Sequence, residues 1–201
     1  MKLYFAPNTR AVRIAWLLEE LGLDYELESY TLGDRKMREP EFLAINPNGR
    51  VPALRDGEVL IHESGAIVEY VIARHGKGRL VPPVDSPEFA NYLQWLHYAE
   101  GMVMPQINVI MVETVFLPPE RRNEVNVKRA TKLLNQMLAA VDAHMAGRDY
   151  LAGEFSGADI MLGHAVSVSE RLGADFSDKP SLPPYVARLK ARPAFQKAQT
   201  L

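Results

Sequence analysis

The chain contains no cysteine among its 201 residues. It can therefore form no disulfide, no thiolate metal site and no Cys-x-x-Cys redox pair, and it has no cysteine nucleophile. Any thiol chemistry must be supplied by a ligand. The 5 histidines show no His-Glu-x-x-His or paired spacing, so the sequence predicts no metal site.

Excess charge and long apolar runs are also lacking. The 23 basic and 25 acidic residues leave a net charge of -2, which gives no reason to expect binding to nucleic acid or to an anionic membrane. No apolar segment approaches the roughly 20 residues of a membrane span, and the chain begins with MKLYF, without a charged leader and apolar core. We expect a cytoplasmic protein. With 47% apolar and 24% charged residues, it has the composition of a globular protein with a sizeable core.

The most informative stretch is 46–64, NPNGRVPALRDGEVLIHES. Asp56-Gly57 lies between two short apolar runs, Val51 to Leu54 and Val59 to Ile61. Asp-Gly supplies the positive φ of a tight turn, so this stretch predicts an antiparallel hairpin. Pro52 is tolerated at the entrance of a strand, where an X-Pro bond can be cis or trans.

Glu63-Ser64 follows the hairpin and precedes an apolar-periodic run that predicts a helix. Serine is a good N-cap, and the start of a helix presents free N–H groups and a positive dipole end that suit a carboxylate ligand. A plain capped helix and an anion site are both open interpretations.

The remaining pattern predicts two domains joined by a proline-rich linker at 81–87. Residues 1–80 carry the order β-α-β-α-β-β-α, which is that of a thioredoxin-like α/β domain, and residues 88–201 are an all-α helical bundle. The predicted elements are a strand at 2–5, a helix at 10–21, a strand at 25–32, a short helix or turn at 34–45, the hairpin and its following helix, then helices at about 89–116, 127–145, 156–172, 182–191 and from 193.

Two details of the helical domain carry specific predictions. Pro105 lies inside the first long helix and predicts a kink there, and the two long helices should pack antiparallel. Ser156 and Asp159 form a variant capping box, and we assign both to folding because a cap explains them.

The stretch from Asn46 to Ser64 resembles the glutathione-binding half of the cytosolic glutathione transferases: an Asn-Pro-x-Gly-x-Val-Pro-x-Leu run, a hairpin, then Glu-Ser opening a helix. In that family the Val-Pro bond is cis. The resemblance implies that the main chain of Val51, next to Pro52, pairs with the cysteinyl unit of glutathione like an added strand. It also implies that Glu63 and Ser64 hold the γ-glutamyl end.

A group that stabilises the glutathione thiolate is expected at the start of the first helix. Thr9 stands there, and its context Thr-Arg-Ala-Val is similar to the Ser-Arg-Ala-Val context of the theta-like branch, in which the serine hydroxyl donates to the sulfur. Tyr4 is the rival, because it lies where the tyrosine-type branch keeps its phenol. Thr9 could equally be a plain cap, and Tyr4 could equally be a core residue.

Further contacts follow from the same resemblance. Asn8 and Arg10 could assist at the sulfur or could form a solvated turn. Arg38 lies close to where related chains place a residue that meets the glycine carboxylate, although Met37 is the position that matches their commonest histidine. The electrophile site should form between the domains, and four residues of the first long helix are candidates for its lining: Tyr98, Met102, Met104 and Gln106.

The resemblance therefore predicts a glutathione transferase, of the kind used in detoxification, whose co-substrate is glutathione and whose second substrate is a small hydrophobic electrophile. A glutathione-dependent disulfide reductase or ether-cleaving relative is one alternative, and a non-catalytic binding module on the same fold is another. A homodimer is expected, with an acidic residue of the partner often completing the γ-glutamyl site near Asn91, Gln94 and Tyr98. We expect no bound metal and no binding to nucleic acid or to a membrane.

Overall fold

The computed structural model describes residues 1–201. The chain forms two compact units, Met1–Val81 with Lys190–Leu201, and Pro82–Leu189. None of its helices combines the length and the apolar character that a membrane crossing requires. In chain order the strands and α-helices are β1 (Lys2–Phe5), α1 (Ala11–Leu21), β2 (Glu26–Ser29), α2 (Pro40–Leu43), β3 (Ala53–Asp56), β4 (Val59–His62), α3 (Ser64–His75), α4 (Glu88–Tyr98), α5 (Met104–Met111), α6 (Glu124–Met145), α7 (His164–Arg171), α8 (Leu182–Lys190) and α9 (Pro193–Gln199).

A four-stranded mixed sheet in the order β2-β1-β3-β4 forms the centre of the first unit. Strands β1 and β2 are parallel, and the other two pairs are antiparallel. The predicted thioredoxin-like order and mixed sheet are confirmed.

The predicted antiparallel hairpin is confirmed, but its strand bounds differ from the prediction. Strand β3 begins at Ala53 instead of Val51, and the loop is Gly57-Glu58, with Gly57 at φ 58°. The strand starts later because Pro52 has no N–H to give to the ladder. Val51 therefore lies just outside the sheet.

Helix α1 is the most deeply buried element of the first unit, with 9 of its 11 residues buried, as its broad apolar pattern predicts. Helix α9 packs on it: the rings of Trp16 and Phe195 meet edge to face at 4.7 Å. Arg192 adds two hydrogen bonds to the carboxylate of Glu20, at 2.6 and 2.8 Å. The last residues of the chain therefore complete the core that holds α1 in place.

The first long helical element of the second unit changes hydrogen-bond register twice. Helix α4 continues through a π-type turn at Ala99–Val103 into α5, and a second π-type turn follows at Val112–Phe116. Pro105 is in the first turn of α5, so its missing N–H coincides with the first change of register. The interruption therefore falls where proline predicts a kink.

Helix α6 begins at Glu124, three residues before the predicted start at Val127. The amide oxygen of Asn123 accepts hydrogen bonds from the first-turn N–H groups of Val125 and Asn126, at 2.9 and 3.4 Å, and so caps the earlier start.

The predicted antiparallel packing of the two long elements is confirmed by contacts that run in opposite order. Trp95 meets His144, with ring centroids 4.6 Å apart, and the Tyr98 hydroxyl donates to the carbonyl of Met137. Farther along the first element, Glu113 accepts a hydrogen bond from the Asn126 amide at 2.8 Å.

Asp159 is fully buried in the second unit and accepts four hydrogen bonds. The donors are the N–H of Leu151, the N–H and hydroxyl of Ser156, and the Tyr185 hydroxyl, at 2.9 to 3.2 Å. Burial raises the pKa of the Asp159 carboxyl to about 6. The acid reaches back to Ser156 as the capping box predicts, and its contacts support a role in folding.

Candidate active site

The loop before β3 is held by one buried side chain. The amide of Asn46 donates to the carbonyl of Arg50 at 2.7 Å, and its oxygen accepts from the N–H of Asn48 at 3.1 Å. Gly49 has φ 59°, and a Cβ placed on it would lie 2.6 Å from the carbonyl oxygen of Met37. Only glycine therefore fits this turn, which delivers the chain to Val51.

Val51 presents an open main-chain edge. The Val51–Pro52 peptide bond is cis, as the resemblance implies. The sheet ladder starts at Ala53, and neither the N–H nor the carbonyl of Val51 makes a hydrogen bond within the chain. These two groups can accept an extended peptide in the manner of an added strand.

The chain enters α3 through a left-handed residue. Glu63 has φ 74° and occupies the N-cap position, and its carbonyl accepts from the N–H of Ile67 at 2.9 Å. Its carboxylate is exposed and makes no hydrogen bond or ion pair within the chain. The first N–H groups of α3 are free, as in the first turn of any helix, so this helix start can receive an anion.

Ser64 is not the N-cap that its sequence context predicts. It is the first residue of α3 and is buried, and its hydroxyl oxygen accepts a hydrogen bond from Nη1 of Arg13 at 3.1 Å. The prediction is wrong because Glu63, in the left-handed region, turns the chain into the helix and takes the capping position.

Arg13 is the residue of this region that we did not identify from the sequence. It lies in α1 and is fully buried. One feature of the sequence could have identified it: Arg13 is the one charged residue in the otherwise apolar run from Ala11 to Leu18.

Thr9 stands at the start of α1 and its hydroxyl makes two hydrogen bonds. It donates to the carbonyl of Ala6 at 2.6 Å and accepts from the N–H of Ala11 at 3.1 Å. Thr9 is half-buried, so a ligand can approach it. The hydroxyl proton of Thr9 points to the carbonyl of Ala6, so the hydroxyl must rotate away from that carbonyl before it can donate to a sulfur atom.

Tyr4 lies in β1 and is 4% exposed. It belongs to a hydrophobic cluster with Met37, Phe42 and Ala53, and its ring meets that of Phe42 edge to face at 6.2 Å. These contacts favour the core interpretation of Tyr4. Met37 packs in the same cluster and is buried.

Three polar residues lie in the connecting segments beside these elements, Arg38 at the end of a short 3-10 turn at Arg35–Arg38. Asn8 has φ 60° and is exposed, and Arg10 is half-buried in the turn before α1. Arg38 is exposed and donates from Nη1 to the carbonyl of Asn48 at 3.2 Å. This contact places the Arg38 guanidinium on the loop that precedes Val51.

The four residues considered for the electrophile site have different surroundings in the second unit. Met104 is buried, and Tyr98 is tied to α6 by its hydroxyl. Met102 is 40% exposed. Gln106 lines an open groove of about 520 Å³ that also includes Glu113 and Arg129. No group of three or more histidine, aspartate and glutamate side chains is arranged to hold a metal ion.

Comparison with known protein families establishes the family membership of the chain. Residues 1–73 match the glutathione S-transferase N-terminal domain, and residues 104–193 match the glutathione S-transferase C-terminal domain. The chain belongs to the glutathione S-transferase family. The thioredoxin-like N-terminal domain and helical C-terminal domain that the sequence predicts are thereby confirmed.

Relatives of the chain differ in their named activities. Glutathione S-transferase GstB of Escherichia coli is 32% identical over 197 residues, which cover 94% of this chain and 92% of the relative. The disulfide-bond oxidoreductase YfcG of the same organism is 33% identical over 206 residues, covering 96% and 91%.

Solved structures agree over almost the whole chain. A glutathione transferase from Pseudomonas putida, with one glutathione disulfide bound per subunit, is 27% identical with a TM-score of 0.90, covering 100% of this chain and 90% of its own. One from Burkholderia graminis, with two glutathione molecules per subunit, is 26% identical with a TM-score of 0.86, covering 98% and 86%.

Proposed function

We propose that this protein binds glutathione, stabilises its thiolate and directs the thiolate to attack a small hydrophobic electrophile. The observation that carries the proposal is the pairing of two unfilled features in one unit. The main chain of Val51 has no hydrogen-bond partner, and the start of α3 at Ser64 has free N–H groups. Family membership supports glutathione as the peptide that fills both.

The charges of the site suit a γ-glutamyl group. Its α-carboxylate would bind the Ser64 hydroxyl and the first N–H groups of α3, where the helix dipole favours an anion. Its α-ammonium would lie near the exposed, unpaired carboxylate of Glu63. The cysteinyl unit would pair with Val51, with Pro52 shaping the edge.

The glycine carboxylate of the peptide requires a cation on the other side of Val51. Arg38 is held against the preceding loop by its bond to Asn48, which supports this assignment. Asn8 and Arg10 border the start of α1 and would supply polar contacts to the cysteinyl region.

The thiol must lose its proton to react. A free thiol has a pKa of about 8.5, and lowering it by about two units requires about 2.7 kcal/mol of preferential stabilisation of the thiolate. One hydrogen bond to a charged sulfur contributes about 1.5–3 kcal/mol, and the positive end of a helix adds about 0.3–1 kcal/mol. Thr9 would provide the hydrogen bond when its hydroxyl turns from Ala6 to the sulfur, and the start of α1 beside it would provide the positive helix end. Tyr4 remains the rival donor, and its packing in the core disfavours it.

Glutathione-coupled disulfide reduction is the second candidate. The YfcG relative and the neighbours that hold glutathione disulfide or two glutathione molecules support it. The thiolate of one glutathione would attack a substrate disulfide, forming a mixed disulfide and releasing one thiol. A second glutathione thiolate would attack the glutathione sulfur of the mixed disulfide, forming glutathione disulfide and releasing the second thiol, so no protein cysteine is needed.

The finer assignments belong to the same proposal. Residues 1–80 would bind glutathione. The helical domain predicted at 88–201 would form the electrophile pocket from residues 88–189, because residues 190–201 belong to the first unit. On the strength of the family we also propose a cytoplasmic homodimer that serves in detoxification.

Two experiments test the proposal. Retention of the protein on immobilised glutathione, with elution by free glutathione, should be lost in Ser64→Ala, whereas the surface variant Arg74→Gln, elsewhere on α3, should be retained as well as the wild type. Conjugation of a dinitrohalobenzene and reduction of a small disulfide, measured on one preparation, then distinguish the two activities. Retention without either activity would support a binding module, and an unretained wild-type protein would contradict the proposal.

A further inference from the structure

Arg13 is a charged residue in the interior of the first unit. It has no solvent exposure, and its neighbours in the run from Ala11 to Leu18 are apolar. Burying a guanidinium is costly unless other groups accept its hydrogen bonds. The acceptor that Arg13 meets is therefore significant. Nη1 of Arg13 donates to the hydroxyl of Ser64, which lies 51 residues away in sequence.

This contact determines what Ser64 can offer to a ligand. A guanidinium only donates hydrogen bonds, whereas a hydroxyl has one proton and two lone pairs. Because the Ser64 oxygen accepts from Arg13, its single proton points elsewhere and remains available for an acceptor. Ser64 is buried at the start of α3, where an acceptor also meets free helix N–H groups.

We propose that Arg13 is a positioning residue that orients Ser64 as a donor and makes the start of α3 selective for the α-carboxylate of a γ-glutamyl group. The buried guanidinium also polarises the hydroxyl, because a hydrogen bond with a charged partner is stronger than a neutral one. This inference rests on the proposed function. It adds that selectivity for the carboxylate comes from α1 as well as from α3.

The test compares two peptides. Glutathione carries the α-carboxylate, and 4-aminobutyryl-cysteinyl-glycine is the same peptide without it. Dissociation constants of both are measured by calorimetry for the wild type and Arg13→Gln. The wild type should prefer glutathione by about ten- to a hundredfold, the range expected for hydrogen bonds to a charged group. Arg13→Gln should lose most of that preference by weakening glutathione alone.

Kinetics provide a second readout that a merely structural role would not give. With whichever activity the protein shows, Arg13→Gln should raise the KM for glutathione about tenfold or more and leave kcat within about twofold. The reason is that Arg13 affects binding of the γ-glutamyl carboxylate, whereas Thr9 and the start of α1 stabilise the thiolate. A general loosening of the fold would lower kcat and weaken both peptides together.

Three variants keep the test decisive. Arg13→Lys retains a positive donor and should restore most of the preference. Arg79→Gln is the charge-matched control, since Arg79 also contacts α1 but donates to the carbonyls of Glu20 and Leu21 at its other end. In a Ser64→Ala background, Arg13→Gln should cause no further change in the ratio of the two dissociation constants, because Arg13 acts through Ser64. Where Arg13→Gln does not fold, Arg13→Met, which keeps an unbranched apolar stem but has no donor, replaces it in both backgrounds and should give the same result.

Each outcome has one meaning. An unchanged ratio of the two constants in Arg13→Gln, or equal weakening of both peptides, would overturn the role of Arg13 and leave the proposed function standing. A wild type that binds both peptides equally would also overturn the proposed role of Arg13 and leave the proposed function standing. A wild type that binds neither would overturn the proposed function and this inference together.

Discussion

Replacing Asp159 by asparagine preserves the size of a fully buried side chain but removes its charge and one of its two acceptor oxygens. Each oxygen accepts one main-chain N–H, from Leu151 on one side and from Ser156 on the other. An asparagine amide must therefore direct its NH₂ group at one of these N–H groups, whichever way it is turned.

The magnitude follows from the donors left without an acceptor. One orphaned buried N–H costs about 1–3 kcal/mol, so we expect Asp159→Asn to lower the free energy of unfolding at pH 7 by that amount. Asp159→Ala orphans both N–H groups and the hydroxyls of Ser156 and Tyr185, and should cost about 3–5 kcal/mol.

The pH dependence of this loss gives an independent check. Burial raises the Asp159 pKa from 3.8 to about 6, so the folded state binds a proton that the unfolded state has released between these values. Stability from this group is therefore fully present below about pH 4 and falls by about 3 kcal/mol as the pH rises to about 6. Asp159→Asn lacks this titration, so its deficit relative to the wild type should be larger at pH 4 than at pH 7.

Urea unfolding followed by circular dichroism at both pH values measures these differences. Asp142→Asn is the matched control, because Asp142 accepts one main-chain N–H, that of Ser181, and an amide oxygen can replace it. The control should stay within about 0.5 kcal/mol of the wild type. An Asp159→Asn protein as stable as the control, or a deficit that grows between pH 4 and pH 7, would refute the reasoning.

Three further predictions concern the first unit. Phe195→Ala should lower its free energy of unfolding by about 3–5 kcal/mol, because the ring packs edge to face on Trp16 in the core; chemical denaturation measures this. The His75 ring beside Asp56 lowers the pKa of the Asp56 carboxyl, so the stabilisation from this contact is present above about pH 4 and is lost as the pH falls further. Asp56→Asn should therefore flatten the acid limb of a plot of unfolding free energy against pH. Gly49→Ala should weaken glutathione binding, because the added Cβ would lie 2.6 Å from a main-chain carbonyl at φ 59°; calorimetry measures the constant.

Each of these has a contradicting result. A Phe195→Ala protein that unfolds at the wild-type urea concentration would show that α9 adds nothing to the core of its unit. An acid limb unchanged in Asp56→Asn would remove the Asp56–His75 contact from the account of acid stability. For the loop, Gly57→Ala is the matched control: it carries a similar backbone strain at φ 58° but has open space around its Cβ, so equal losses of binding in the two variants would contradict the steric reason.

Elements bounded by local signals could be predicted from the sequence. Strand β1 occupies the predicted Lys2–Phe5, and α1 ends where Gly22 takes a left-handed conformation. Both depend on neighbouring residues only. The Val51–Pro52 motif and the Glu63-Ser64 pair were equally visible, because each is a contiguous pattern.

Features that depend on distant partners could not be predicted in this way. The Arg13–Ser64 bond joins residues 51 apart, and nothing local to either residue indicates the other. The left-handed φ of Glu63 is unusual for a residue other than glycine, and it moved Ser64 from the cap into the helix. The packing of Phe195 on α1 is likewise a tertiary contact that helical periodicity cannot reveal.

The pKa of the thiol of bound glutathione tests the central claim most directly. Thiolate absorbance is titrated in the complexes of the wild type, Thr9→Ala, Thr9→Ser and Tyr4→Phe. The account predicts a wild-type value about two units below the ordinary 8.5 of a thiol, a rise of at least about one unit in Thr9→Ala, and little change in Thr9→Ser and Tyr4→Phe. A wild-type value near 8.5, or a Thr9→Ala value equal to that of the wild type, would contradict it.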